Sequence, residues 1–179
     1  MDTIEKIITN FKNNKSLYIG EKVTIAEHMI QSAMMAEKSN SKGNLVCSCL
    51  LHDYGHFIID NPDLLVLKLL DGNHECLAFN FLSKYFKPEV VEPIKLHVQA
   101  KRYLCRDNSY FELLSDASKI SLKLQGGIMN DEEAKKFTSL KFHNEAIILR
   151  KYDDYGKVPN LNIKKIDSYR DLINSQLIN

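Results

Sequence analysis

Four histidines fall at positions 28, 52, 74 and 97, separated by 24, 22 and 23 residues, and the second is followed at once by Asp53. Intervals of that size each hold one helix and its connection. The rhythm therefore sets one imidazole on each of several successive helices, and such an array has little reason to exist unless the helices converge. Imidazole with carboxylate is the ligand set that suits divalent iron, manganese, nickel or zinc. In His52-Asp53 the aspartate follows the apolar and small run from Leu45 to Leu51, where a helix should be buried. An unpaired carboxylate is prohibitive there, whereas one bridging two cations is compensated. A polynuclear metal site follows.

Helical periodicity dominates the rest of the chain. Ile4, Ile7, Ile8 and Phe11 give a first helix, closed by Lys12-Asn13-Asn14-Lys15, and a loop with Tyr18-Ile19-Gly20-Glu21 follows. Thr24 is a good N-cap for a helix through His28 to Lys38, and Ser39 to Asn44 is a turn. The third helix carries His52-Asp53 near its end and is stopped by Gly55. A loop around Asn61-Pro62 and Asp71-Gly72 precedes the helix opened by Asn73, which carries His74. Pro88 separates this from the helix of His97 and Lys101, four apart and so on one face. Another helix spans about Tyr110 to Leu124 and ends at Gln125-Gly126-Gly127. With no convincing β alternation, the expected fold is all-α, a single helical domain over 1–179.

Composition narrows the function. The chain has 179 residues, 44% of them hydrophobic, enough for one domain with a real core, and a net charge of +1. Nucleic acid and anionic membranes find no electrostatic footprint on such a chain: Lys12, Lys15, Lys22, Lys135 and Lys136 are scattered among acids as solvated faces. The amino terminus lacks the apolar core of a signal peptide and no apolar stretch approaches a membrane span, so a cytoplasmic protein is expected. Cys47, Cys49, Cys76 and Cys105 have neither zinc-finger spacing nor the density of a disulfide scaffold. Cys47 and Cys49 would point about 200° apart on a helix and read as small core residues. His143 reads as a surface residue.

In order along the chain, His28, His52-Asp53 with Gly55-His56, and an aspartate downstream (Asp116, Asp153 and Asp154 are not separable by spacing) resemble the HD-domain superfamily, helical bundles around a mono- or dinuclear metal centre. Further features are similar to one branch: Tyr18 to Glu21, the extra histidines His74 and His97, His97 to Leu104, Leu114 to Ser118, Leu124 to Gly127, and Arg150 to Asp153 with Gly156-Lys157. These resemble the PhnZ-type oxygenases, which cleave carbon–phosphorus bonds with a mixed-valence di-iron centre and are related to myo-inositol oxygenase. The resemblance runs from about Tyr18 to Tyr169.

What the resemblance implies is specific. His28, His52, Asp53 and Asp153 would hold one iron, and His74, His97 and the bridging Asp53 the other, as an Fe(II)/Fe(III) pair. Lys101, Ser118 and Arg150 would grip the phosphonate, with His56 nearby. Tyr18 and Glu21 would form a catalytic lid, the tyrosine able to occupy an iron before substrate arrives and the glutamate touching the substrate amine or hydroxyl. The expected reaction takes a 1-hydroxy-2-aminoethylphosphonate and dioxygen to glycine and phosphate, in a monomer. Tyr54 and Phe57 make the neighbourhood of the doublet aromatic, and aromatic faces attract quaternary ammonium. A trimethylammonium analogue giving glycine betaine is therefore an alternative, and the loop from Phe57 to Gly72 bears on the choice. A metal-dependent phosphohydrolase and a non-catalytic metal sensor are the other classes. His74, His97 and the Tyr18 to Glu21 loop argue against the hydrolase.

Overall fold

The computed structural model describes residues 2–18, 20–58 and 73–178. The first helix, Thr3–Asn13 (α1), buries Ile4, Ile7, Ile8 and Phe11, one stripe of its surface. Ile25–Lys38 (α2) opens with a capping box. The Glu27 amide donates to Thr24 Oγ1 at 3.1 Å, and the Thr24 amide donates back to Glu27 Oε2 at 2.7 Å. Two of the donors that a helix start leaves without partners are satisfied in this way. In Gly43–Leu51 (α3) every residue from Leu45 to Leu51 is buried, as a helix apolar on all sides must be. A 3-10 turn follows at Tyr54–Phe57. Next come His74–Leu82 (α4) and Pro88–Leu104 (α5), the latter with proline at its first position, where the missing N–H costs nothing.

The C-terminal half holds Asn108–Leu113 (α6), Asp116–Leu124 (α7), Asp131–Thr138 (α8) and His143–Tyr155 (α9), then a 3-10 turn at Ile166–Tyr169 and the short Arg170–Ser175 (α10). No strand occurs among the described residues, only two isolated bridges, Leu17 with Thr24 and Phe86 with Leu177. The architecture is an all-α bundle. Helices α2, α3, α5 and α9 pack on one another, and α4 lies on α5. Met29, Leu50, Leu51, Ile94 and Leu149 fill the space between them, all fully buried. A smaller cluster of Leu96, Ala100, Met129, Ala134, Phe137 and Ala146 ties α8 against α5 and α9. Among the described residues no helix is long and apolar enough to cross a membrane.

Three expectations from the sequence need correction. The helix read from Tyr110 to Leu124 is two, because Leu114 turns extended (ψ 142°) and the Ser115 hydroxyl accepts from the Ser118 amide, starting a new helix. A serine hydroxyl competes with the helix for backbone donors, and here it wins. The His52-Asp53 doublet lies just beyond α3, and Gly55 sits inside the 3-10 turn instead of stopping a helix. The elements read from the sequence end at Gly127, and α8, α9 and α10 stand beyond it. The loop around Asn61-Pro62 and Asp71-Gly72, with most of the stretch from Phe57 to Gly72, lies outside the described residues.

Candidate metal centre

Five elements meet at one buried point: α2 brings His28, the end of α3 brings His52 and Asp53, α4 starts on His74, α5 carries His97, and α9 carries Asp153. Local hydrogen bonds fix how each imidazole faces. His52 and His97 fold back over their own preceding turns, their Nδ1 atoms donating to the carbonyls of Cys49 at 2.9 Å and Ile94 at 2.7 Å. His28 Nδ1 donates to the carbonyl of Gly156 at 2.9 Å. With Nδ1 spent on a carbonyl, the neutral imidazole presents a bare lone pair at Nε2, the arrangement a metal ligand requires.

The close approaches depend on two glycines. A Cβ on Gly156 would lie 2.4 Å from Ser32 Oγ and 2.9 Å from the His28 carbonyl, so only glycine lets the end of α9 reach α2. A Cβ on Gly55 would lie 1.9 Å from the carbonyl oxygen of His74. The turn after the doublet is thereby pressed against the start of α4.

The resulting constellation has two halves. His28, His52 and Asp153 offer ligand atoms within 4.8 Å of one another, and so do Asp53, His74 and His97. Nε2 of His28 stands 3.1 Å from Nε2 of His52, and Nε2 of His74 stands 3.2 Å from Nε2 of His97. Two bare lone pairs at that distance repel unless a proton or a cation lies between them. Asp53 faces both halves: Oδ2 lies 3.5 Å from His28 Nε2 and 3.4 Å from His52 Nε2, while Oδ1 lies 3.2 Å from His74 Nε2 and 3.7 Å from His97 Nε2. Asp153 Oδ1 is 3.2 Å from His28 Nε2. Asp53 Oδ2 and Asp153 Oδ1 are buried yet accept no hydrogen bond. Buried carboxylate oxygens without donors, facing converging imidazole lone pairs, fit a pair of cations.

The electrostatics agree. Burial alone would push the Asp53 carboxyl up, but His52, His28 and His74 around it hold it well below the usual carboxylate range. Asp153 is likewise held down against its burial, chiefly by Arg150 and then by His28. Burial lowers the His28 imidazole, but the carboxylates of Asp153 and Asp53 facing it more than offset this and lift it to about 9. Ligation needs the imidazoles neutral and the carboxylates ionised, so metal and proton compete for such a site.

Of the three aspartates that spacing leaves open, Asp153 faces the histidines. Asp116 is exposed at the start of α7, and Asp154 turns away to Tyr110 and Arg150. His56 stacks on the His74 ring at 4.4 Å and 15°, and burial followed by the His74 charge lowers it to about 3. It stands beside the centre as a neutral imidazole. Tyr18 stacks on the other side, its ring 4.3 Å from that of His28. Its loop is closed by the Tyr18 amide on the Val23 carbonyl at 2.8 Å and the Glu21 amide on the Tyr18 carbonyl at 2.9 Å.

Next to the centre lies a cluster of positive charge. Lys101, buried on α5, donates to Ser121 Oγ at 2.8 Å, and Lys157 donates to Ser118 Oγ at 3.0 Å, so two ammonium groups converge on the serine face of α7. The break before Ser115 creates that face. Arg150, which the resemblance places on the phosphonate, donates to protein groups: Nη1 to Asp153 at 2.5 Å, Nη2 to Asp154, and Nε to the Tyr110 hydroxyl at 3.3 Å. Its charge still reaches Lys101: after burial it is the main influence lowering that ammonium to about 7.

Tyr54 and Phe57 do not form an aromatic box at the site. Tyr54 is fully buried, stacked on Phe81 at 5.5 Å with its hydroxyl accepting from Asn10 at 2.7 Å, and Phe57 meets Phe11 edge-on at 5.2 Å. Cys47 and Cys49 are fully buried in α3, as read. His143 is half-buried, bonded to the Leu140 carbonyl at 2.7 Å, and takes no part in the centre. In the sequence Lys157 carried no role beyond its place in the Gly156-Lys157 motif, and Glu75 was missed. Glu75 is buried, with Oε2 3.7 Å from His74 Nδ1, where a carboxylate orients a ligating imidazole. Its position one residue after a candidate ligand was a signal.

No family model matches the chain. Among individual proteins, the hydroxymethylphosphonate dioxygenase of Gimesia maris is 41% identical over 162 residues, covering 89% of this chain and 81% of that protein. The (1-hydroxy-2-(trimethylamino)ethyl)phosphonate dioxygenase (glycine-betaine-forming) of Leisingera caerulea is 39% identical over 141 residues, covering 78% and 72% respectively. An uncharacterized protein of Acanthamoeba polyphaga mimivirus is 36% identical over an alignment of 183 positions, covering 96% and 84%. With a metal-competent histidine and aspartate centre, and relatives of this similarity over most of their length, the chain belongs to the family of phosphonate dioxygenases.

Proposed function

We propose that this chain is a single HD-type oxygenase domain that holds two irons as an Fe(II)/Fe(III) pair and uses dioxygen to cleave the carbon–phosphorus bond of a small 1-hydroxyphosphonate. The observation that carries the reading is Asp53, whose two oxygens face two separate histidine sets. His28, His52, Asp53 and Asp153 would hold one iron, and His74, His97 and Asp53 the other. Bound iron supplies the activation of dioxygen and the Lewis acidity that a substrate hydroxyl needs. A phosphohydrolase has less use for a second histidine set tied to the first by one carboxylate.

The protein's own groups do the rest. Lys101, Lys157 and the Ser118 hydroxyl receive the phosphonate, and Arg150 keeps Asp153 aimed at the centre while adding positive potential. His56, kept neutral, can accept or donate a single hydrogen bond there without adding charge. Tyr18 covers His28 and keeps bulk water from the centre. The balance closes for each candidate substrate: 1-hydroxy-2-aminoethylphosphonate with one dioxygen gives glycine and phosphate, its trimethylammonium analogue gives glycine betaine and phosphate, and hydroxymethylphosphonate gives formate and phosphate. Iron analysis together with oxygen uptake and phosphate release from these three tests the proposal. Zinc-supported phosphate release without oxygen uptake would replace it with a hydrolase.

Two outcomes follow. Lys101 should hold the phosphonate only while protonated, and its buried, depressed ammonium loses that proton near pH 7. Affinity should therefore fall as pH rises through about 7, by no more than tenfold per unit, and Lys101→Arg should flatten this dependence. Lys101→Ala should keep its metal yet weaken phosphonate binding by about 1.5–3 kcal/mol; calorimetry at pH 6 and 8 reads both. In addition, Tyr18→Phe preserves the ring on His28 and should change stability by about 1 kcal/mol or less. If the hydroxyl restrains the resting centre, the iron-loaded variant should consume oxygen without substrate faster than the parent. Equal rates would leave the tyrosine as packing.

A further inference from the structure

Gly156, Lys157 and Val158 leave the end of α9 as an irregular strap, with no helix among the described residues until the 3-10 turn at Ile166. Chain of that kind has to find partners for its backbone polar groups outside a helix. Those of Val158 are met by one side chain. Gln31 Nε2 donates to the Val158 carbonyl at 2.9 Å, and the Val158 amide donates to Gln31 Oε1 at 2.9 Å. Gln31 is 2% exposed and Val158 49% exposed, so a buried amide fork on α2 grips backbone at the surface. His28, Gln31 and Ser32 fall at i, i+3 and i+4 and share one face of α2. The strap is seated on that face: the Gly156 carbonyl accepts from His28 Nδ1 at 2.9 Å, and a Cβ on Gly156 would lie 2.4 Å from Ser32 Oγ. Between the two anchors stands Lys157, donating to Ser118 Oγ at 3.0 Å and lying 3.7 Å from Glu21 Oε1.

We infer that Gln31 is a positioning residue that acts through this strap, holding the Gly156 carbonyl on His28 and the Lys157 ammonium on Ser118. The inference rests on the reading of the site as that of a phosphonate dioxygenase and adds a residue that supports both its metal side and its anion side. Among the described residues the Gln31 amide group bonds to Val158, not to a candidate metal ligand or to the serine face of α7. Its effect therefore passes through the backbone of the strap. A lysine on a loose segment must be ordered when an anion binds, at a cost in affinity, whereas one on a pinned segment has already been ordered by folding. The carbonyl that orients His28 depends on the same anchor, and such supporting hydrogen bonds hold a ligating imidazole in place. Without the fork, the half-exposed Val158 groups turn to water at little cost. The fold then persists while the strap loses its fixed place.

The test is a double-mutant cycle on the iron-loaded protein: parent, Gln31→Met, Lys157→Met and the double variant. Gln31→Met keeps the length of the side chain and removes the fork. Dissociation constants come from anaerobic calorimetry with hydroxymethylphosphonate and 1-hydroxy-2-aminoethylphosphonate, using whichever the parent binds more tightly. Gln31→Met should weaken binding roughly tenfold in the parent, and by no more than about twofold when Lys157→Met is already present, because residues that act through one another are not additive. A residue that merely stabilises the fold would weaken binding by the same factor in both backgrounds, and that result overturns the inference, as does unchanged affinity in Gln31→Met. Iron should also leave Gln31→Met faster than the parent under a chelator, with or without Lys157; equal release rates overturn the metal side of the inference. If Gln31→Met fails to fold, hydrogen exchange in the parent decides: the Val158 amide should be protected, and free exchange would show that the fork does not hold the strap. Phosphonate binding by the parent with no oxygen uptake and no phosphate release would sink the dioxygenase reading, while the cycle still decides for Gln31.

Discussion

Asp53→Ala should strip the protein of both metals and take phosphonate turnover below detection. The expectation follows from the two carboxylate oxygens: Oδ2 lies 3.4 to 3.5 Å from Nε2 of His52 and His28, and Oδ1 lies 3.2 to 3.7 Å from Nε2 of His74 and His97. Removing one terminal histidine leaves a depleted set of neighbours. Removing Asp53 leaves two pairs of neutral imidazoles with less negative charge to hold a divalent or trivalent ion, and nothing to link the halves. Asp53→Asn keeps the shape and one oxygen acceptor but not the anion, so it should retain the fold and still lose most of its metal. Metal analysis of parent and variants after identical iron loading decides. One iron retained in Asp53→Ala, or full activity with zinc alone, would show that the halves do not depend on a shared carboxylate.

Much of this constellation was visible in the sequence because its histidines sit where helical spacing puts them. His28, His52, His74 and His97 each occupy a different element, and the interval of 22 to 24 residues carried that information without any contact being known. The Thr24 cap and the first two helices were equally plain, since α1 has a clean apolar stripe and α2 a capping box. What failed has a common cause. In α9 the buried stripe is Ala146, Leu149, Arg150 and Asp153, so half of the positions that would announce a helix face are charged. The function of the site erased the pattern that would have revealed the element. Yet those residues fall at i, i+3, i+4 and i+7, and once the helix is drawn Asp153 lies on the buried stripe while Asp154 lies off it. The choice among aspartates was recoverable from periodicity, though not from the spacing of histidines. Helix α8 buries little beyond Ala134 and Phe137, and its Asn130 to Glu133 capping box was its clearest mark.

The pocket residues were less accessible for a different reason. Lys157 meets Ser118 and Glu21 across long stretches of chain, and a lysine after a glycine carries no periodic signal. The break at Ser115 turns on a competition between a hydroxyl and a continuing helix, worth about 1 kcal/mol either way. Tyr54 shows the opposite error. Its place beside the doublet suggested a role in recognition, but the 3-10 turn rotates it into the core against Phe81.

Arg150 separates the two kinds of knowledge most sharply, and its replacement should have the second large effect. As a phosphonate ligand alone, Arg150→Ala would keep its metal and lose only substrate affinity. In the structure its guanidinium is buried, donating to Asp153 at 2.5 Å and also to Asp154, with the Tyr110 hydroxyl accepting from Nε at 3.3 Å. Deleting one partner of a buried ion pair leaves an uncompensated charge, a loss of about 3–5 kcal/mol. Two carboxylates are left here, Asp153 deeply buried and Asp154 partly so, with Tyr110 still on Asp154. Asp153 would lose the neighbour that chiefly holds its carboxyl ionised, so protons would compete better for the His28, His52 and Asp153 half of the centre. Arg150→Ala should therefore be markedly destabilised in urea and should lose metal from that half, most severely below neutral pH, while Lys101→Ala keeps both metal and stability. Arg150→Lys should regain part of the stability, because one ammonium can serve Asp153 but not both aspartates in the fork geometry. The comparison is decided by metal content and unfolding midpoints of the three variants at pH 6 and 8. Full metal occupancy and parental stability in Arg150→Ala would return the arginine to the role the family resemblance implies, a ligand of the phosphonate and nothing more.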